Sequence, residues 1–113
     1  MKEILAIIRS EKFDDVIAAL DLIEVKGITV RDVKGRGEQK GIRIQSRGGS
    51  YTVDFLPKIQ LMIVVQDEKV DQVVYTIIAS ARTDGGRIGD GKIFIIPVEE
   101  AIKIRTGERN AVA

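Results

Sequence analysis

Apolar residues along the first part of the chain change their period from that of a strand to that of a helix. Positions 4–8 form an unbroken apolar run, and Phe13, Val16, Ile17, Leu20 and Ile23 then fall at i, i+3, i+4, i+7 and i+10. That stripe predicts an amphipathic helix with one face for a sheet. Ser10 stands where an N-cap is expected, with acidic residues in the first turn. Gly27 breaks the pattern, and positions 28–33 read as a second strand. The scheme then recurs: an apolar run at 61–65, Asp67 as the cap, Val70, Val73, Val74 and Ile77 as the helical stripe, a glycine cluster, and a strand over 93–98.

The recurrence is a true internal repeat. Displacing the sequence by 57 positions lays Leu5 on Met62 and keeps apolar on apolar through Leu20 and Ile77, with identities at Glu11/Glu68, Lys12/Lys69, Asp14/Asp71 and Val16/Val73. Two βαβ halves in tandem predict an α+β chain, a ferredoxin-like sandwich with a four-stranded antiparallel sheet and two helices on one face. The expected organisation is a single domain over 1–113, with an exposed insert at 36–56, a Gly-rich loop at 84–92 and a C-terminal segment at 101–113. A short strand is expected over 101–106, placing the side chains of Lys103 and Arg105 on one face. The apolar runs at 4–8, 61–65 and 93–98 are those of strands buried on both sides, whereas two helices cover only one. Cover by further copies of the chain is expected, giving a symmetric oligomer.

Composition removes several functions. With 18 basic against 17 acidic residues the net charge is +1, which gives no global field for polyanions. The absence of cysteine and histidine excludes thiol chemistry, disulfides, imidazole acid/base catalysis and the usual zinc ligands. No pair of carboxylates stands out by spacing, so an enzyme is not expected. Aromatic residues make up 4% of the chain, too few for base stacking on the sheet, so no nucleic-acid partner is expected. The N-terminal apolar run is too short for a signal peptide or a membrane span, and a cytoplasmic location without membrane insertion is expected.

Candidate chemistry gathers at glycines. Gly35, Gly37 and Gly41 enclose Arg36 and Lys40 directly after a strand, an arrangement that suits either a phosphate or an ordinary turn. The Rossmann fingerprint is not met, because Lys40 occupies a glycine position and no helix is expected to follow. The second cluster, Asp84-Gly-Gly-Arg-Ile-Gly-Asp-Gly-Lys92, has phosphate-loop spacing from Gly86 to Lys92, but Ile93 replaces the required Ser/Thr and a strand follows. Together with Lys103 and Arg105, these segments form either a convergent triphosphate site or a set of hairpin turns and a solvated tail. In the insert, Tyr51 follows Arg47-Gly-Gly-Ser and is either a handle for modification and partner contact or a plain surface tyrosine. Asp54, Lys58 and positions 39–41 offer a weaker possibility, a clamp for a small acid.

KGRGEQKG, the insert ending in GGSYTVDFLPK, and GDGKIF followed by IRTGE closely resemble the PII nitrogen-regulatory signal-transduction family, with the likeness covering essentially the whole chain. The resemblance implies a homotrimer that binds ATP or ADP between subunits, and 2-oxoglutarate together with Mg-ATP at the base of the insert, called the T-loop. It implies nucleotide contacts from Ile7, Thr29, Gly35, Arg36, Gly37, Glu38, Gln39, Lys40, Met62, Val64, Gly89, Asp90, Gly91, Lys92, Lys103 and Arg105. Gln39, Lys40, Gly41 and Lys58 are implied for 2-oxoglutarate, with Gln39 on Mg, and Tyr51 matches a tyrosine nucleotidylylated in some members. Arg47 and Tyr51 are expected to meet target proteins such as an ammonium transporter, a nitrogen-assimilation enzyme or nitrogenase. Glu38, Met62 and Lys103 depart from the usual basic residue, glutamate and arginine, and SRGGS from the usual run before the tyrosine. They motivate an alternative, a divergent paralogue that senses adenine nucleotides without a 2-oxoglutarate response or tyrosine modification.

Overall fold

The structure, a computed structural model, describes residues 1–37, 42–46, 49–53 and 55–113, with segments 42–46 and 50–53 described by their backbone alone. The first half contains β1 (Lys2–Arg9), α1 (Phe13–Leu22) and β2 (Thr29–Gly35), and the second contains β5 (Leu56–Val65), α2 (Val70–Ala81) and β6 (Gly91–Pro97). Between them β3 (Ile42–Ser46) and β4 (Gly49–Val53) form a separate two-stranded ribbon. The main sheet has the order β2-β5-β1-β6, antiparallel at every pairing. This is the ferredoxin-like arrangement that the repeat predicts.

Leu5 and Met62, superimposed by the repeat, are themselves partners across the β1/β5 ladder. A pseudo-twofold axis therefore passes between them, and each half inserts a strand between the two strands of the other.

Alternation sorts each strand into two faces. Ile4, Ala6 and Ile8 on β1 and Leu61, Ile63 and Val65 on β5 are buried beneath Val16 and Leu20 of α1 and Val73, Ile77 and Ala81 of α2. Each fully buried Leu, Ile or Val contributes roughly 1.5–3 kcal/mol, more than an exposed ion pair, so this layer dominates stability. The opposite face carries Leu5, Ile7, Met62, Val64, Phe94 and Ile96, and within one chain it stays partly open, with Phe94 44% exposed. No helix among the described residues is long and apolar enough to cross a membrane.

Two local expectations are corrected. Ser10 and Asp67 do not cap the helices: each begins a tight 3-10 turn, Ser10–Lys12 or Asp67–Lys69, and Lys12 and Lys69 hold the cap positions without side-chain cap bonds. The turn satisfies the helix start through its own backbone, as the Phe13 amide donates to the Ser10 carbonyl. The Asp67 carboxylate instead accepts from the Met1 amine at 2.6 Å. The tail adds no strand over 101–106: the chain reverses, with the Gly107 amide donating to the Lys103 carbonyl at 2.7 Å and a single bridge joining Ile102 to Arg109. Gly107, at φ +72°, makes that reversal cheap, and Lys103 and Arg105 therefore do not share a strand face. Within the insert, β3 and β4 pair from Ile42 with Val53 to Ser46 with Gly49.

Candidate functional site

The four strands of the main sheet meet at one end. Ile8 pairs with Gly91 and Ile7 with Lys92, Arg9 pairs with Lys58, and Lys58 pairs on its other side with Val33, two residues before β2 ends at Gly35. Between these ends lies a cleft of about 210 Å³ lined by Ile7, Gly35, Arg36, Gly37, Lys58, Gly89, Gly91, Lys92 and Phe94. Three cations line it and, among the described residues, no carboxylate does. Four of its walls are glycines, so backbone can approach a ligand where a side chain would stand in the way.

The glycine loop that forms one wall is fixed from within. The Asp90 carboxylate accepts from the Thr83 hydroxyl at 2.6 Å, the Thr83 amide at 3.0 Å and the Arg87 amide at 2.8 Å, closing residues 83–90 on themselves. Arg9 ties this loop to β1, its Nε donating to Asp90 at 2.9 Å and its terminal nitrogen to the Ile88 carbonyl at 2.8 Å. Burial would raise the Asp90 carboxyl, but the donors from Thr83, Arg87 and Arg9 outweigh it and hold the group well below the usual carboxylate range. A carboxylate so depressed adds stability that is fully present above its unfolded value near 3.9 and is lost progressively as pH falls from there through the much lower folded value. Asp90→Asn is therefore expected to cost roughly 2 kcal/mol at pH 7, nearly as much at pH 3 and much less only near pH 2 or below, read as urea midpoints at pH 7 and pH 2. A cost unchanged between them would mean that the charge plays no part in holding the loop.

Lys58 is 9% exposed, and its amine donates to the Gly89 carbonyl at 2.8 Å, bridging β5 to the same loop. Burial, and then repulsion from Arg9, lower its pKa against the pull of Glu11 and Asp90. A bound anion would restore the favourable surroundings of the ammonium.

Of the residues expected at a nucleotide, Ile7, Gly35, Arg36, Gly37, Gly89, Gly91 and Lys92 come together in this cleft, joined by Lys58. Asp90 lines a neighbouring hollow of about 640 Å³ between α2 and β6, with its carboxylate engaged in the loop. Thr29, Met62 and Val64 lie further along the sheet, Thr29 pairing with Met62, and Lys103 and Arg105 sit exposed in the tail, so none of these five lines the cleft of its own chain. Glu38, Gln39, Lys40, Gly41, Arg47 and Asp54 lie outside the described residues, as does the side chain of Tyr51, whose backbone pairs with Ile44. Sequence reasoning missed Phe94, Arg9 and Thr83. Arg9 had a signal, a cation closing an apolar strand directly before the turn, but nothing local to it points across 81 residues to Asp90.

The sequence profile of the family described as Nitrogen regulatory protein P-II matches residues 1–108. The chain is 55% identical to the nitrogen regulatory protein P-II of Nostoc punctiforme over 113 residues, covering 100% of this chain and 99% of that one. It is 54% identical to that of Microchaete diplosiphon with the same coverage. To the nitrogen regulatory protein P-II 2 of Methanothermobacter thermautotrophicus it is 56% identical over 108 residues, 96% of this chain and 92% of the relative.

Proposed function

Since the chain belongs to the nitrogen regulatory protein P-II family, we propose that it is a non-enzymatic signal-transduction regulator that binds ATP or ADP and transmits the binding to its arm, residues 36–56. The observation that carries this reading is the cleft in which Arg36, Lys58 and Lys92 face glycine backbone with no carboxylate lining it among the described residues. Such a lining neutralises phosphate oxygens by charge-assisted bonds while backbone approaches closely.

The cleft is incomplete in one chain. Thr29, Met62, Val64, Lys103 and Arg105 belong to the expected site yet line none of it, and the apolar face of the sheet lacks a cover. A homotrimer answers both needs, burying Leu5, Met62, Phe94 and Ile96 while a neighbour supplies the missing residues at each subunit boundary. The acid end of 2-oxoglutarate would meet Lys58 beside Gln39, Lys40 and Gly41. Mg would arrive as the counter-ion of the phosphates, with Gln39 as its side-chain ligand. Effector contacts that differ between arm conformations then become differences in affinity for a target such as an ammonium transporter, met by Arg47 and Tyr51 in the cytoplasm.

Calorimetric titration with ATP and ADP, with and without Mg and 2-oxoglutarate, tests the proposal. ATP is expected to bind, 2-oxoglutarate to give heat only with Mg-ATP present, and Lys92→Ala to weaken ATP about tenfold or more by removing a charge-assisted bond. Nucleotide binding with no 2-oxoglutarate heat under any condition would establish the adenylate-only alternative and direct attention to Glu38, Met62 and Lys103. Absence of any nucleotide heat would overturn both.

A further inference from the structure

Arg36 and Phe55 are the residues at which the arm leaves and rejoins the sheet, since β2 ends at Gly35 and β5 begins at Leu56. The Arg36 guanidinium carbon lies 5.3 Å from the centroid of the Phe55 ring, within the range of a cation–π contact. The two ends of the arm are thus clasped side chain to side chain. Arg36 also lines the 210 Å³ cleft, whereas Phe55 does not. One guanidinium stands between an aromatic face at the neck of the arm and the site proposed for phosphate.

We propose that Arg36 is shared between the two, so that an anion in the cleft draws the guanidinium off Phe55 and opens the neck. The inference rests on the nucleotide reading above and adds a route from that site to the arm. Energetic ranking supports it. A guanidinium offers phosphate a planar fork of donors, and the charge-assisted bonds outweigh an exposed stack on phenylalanine, the ring being 53% exposed. Lysine would not serve both partners as well, because the flat guanidinium matches an aromatic face and a phosphate alike. Linkage makes the effect reciprocal: a closed clasp weakens the anion by the same factor with which the anion opens the clasp.

ATP titrations of the wild type, Phe55→Leu, Arg36→Gln and the double variant test this. Removing the ring frees Arg36, so Phe55→Leu is expected to tighten ATP about two- to fivefold, the equivalent of an exposed cation–π contact. Arg36→Gln is expected to weaken ATP, and Phe55→Leu in that background to change nothing further. Equal tightening by Phe55→Leu with and without Arg36, or no tightening at all, overturns the shared guanidinium while leaving the nucleotide site intact. Failure of the wild type to bind ATP overturns the site and the clasp together. Phe55→Trp gives a second readout, because the chain has no other tryptophan. Its emission is expected to shift on ATP saturation when Arg36 is present and to stay constant in the Arg36→Gln background, and a shift in both backgrounds sinks the proposal.

Discussion

Gly91→Ala is expected to lower the melting temperature by roughly 10 °C or more. Gly91 opens β6 at φ +116°, a conformation that L side chains rarely adopt, and an added Cβ would lie 1.8 Å from the Ile7 carbonyl oxygen and 2.9 Å from its carbon. Both atoms are backbone of β1, a central strand bonded on both edges, so no side chain can swing aside to relieve the overlap. Strain in φ alone costs roughly 1–3 kcal/mol, and displacement of a ladder strand adds to it. The start of β6 must peel away from β1, taking Lys92 and the wall of the cleft with it. Gly27→Ala and Gly37→Ala are the controls, since an added Cβ there meets nothing within 4 Å. Thermal melts of the three variants decide the matter, and a Gly91→Ala melt within about 2 °C of the wild type would refute the argument.

If the proposed homotrimer forms through the open face of the sheet, Phe94→Glu is expected to leave single chains sedimenting near 12.5 kDa. Phe94 pairs with Leu5, which pairs with Met62, so the three side chains form one row across the open face. Covering that face in an oligomer desolvates position 94, and an unpaired carboxylate taken out of water costs several kcal/mol, enough to offset the apolar contacts around it. In the isolated chain the same glutamate is partly exposed and costs little, so the fold itself should survive with its circular dichroism unchanged. If the site is completed between subunits, ATP affinity falls with assembly. A variant that sediments like the wild type would show that this face is not the one that associates.

The body of the fold was legible because its signals are local or repeated. The stripe from Phe13 to Ile23 and its copy from Val70 to Ile77 give both helices, and the displacement that overlays Leu5 on Met62 gives the topology. The ribbon in the arm carried a usable signal, Ile42 and Ile44 alternating with polar residues ahead of the glycines and Tyr51 and Val53 after them, but the charge of the segment masked it. The caps failed for a physical reason: Ser10 and Asp67 have the right chemistry, yet a 3-10 turn leaves the helix start already bonded. The tail failed because apolar alternation at Ile102 and Ile104 reads as a strand, while Gly107 turns the chain and leaves Ile104 fully exposed. The glycines and cations of the cleft could be picked out singly. What sequence did not give was their scaffolding, Arg9 on Asp90 and Lys58 on Gly89, because those contacts join residues brought together by the sheet alone.

The interleaved order of the sheet has a consequence for how the chain can be cut. β1 and β2 belong to one half, yet β5 lies between them, and β5 in turn touches no other strand of its own half. Neither half can close a core by itself, so the protein should fold and unfold as one cooperative unit, with no half-folded species to capture. The same interlock holds the halves together without help from the peptide that joins them. A nick in the arm would leave two fragments that still need each other, a natural pair for split-protein reconstitution.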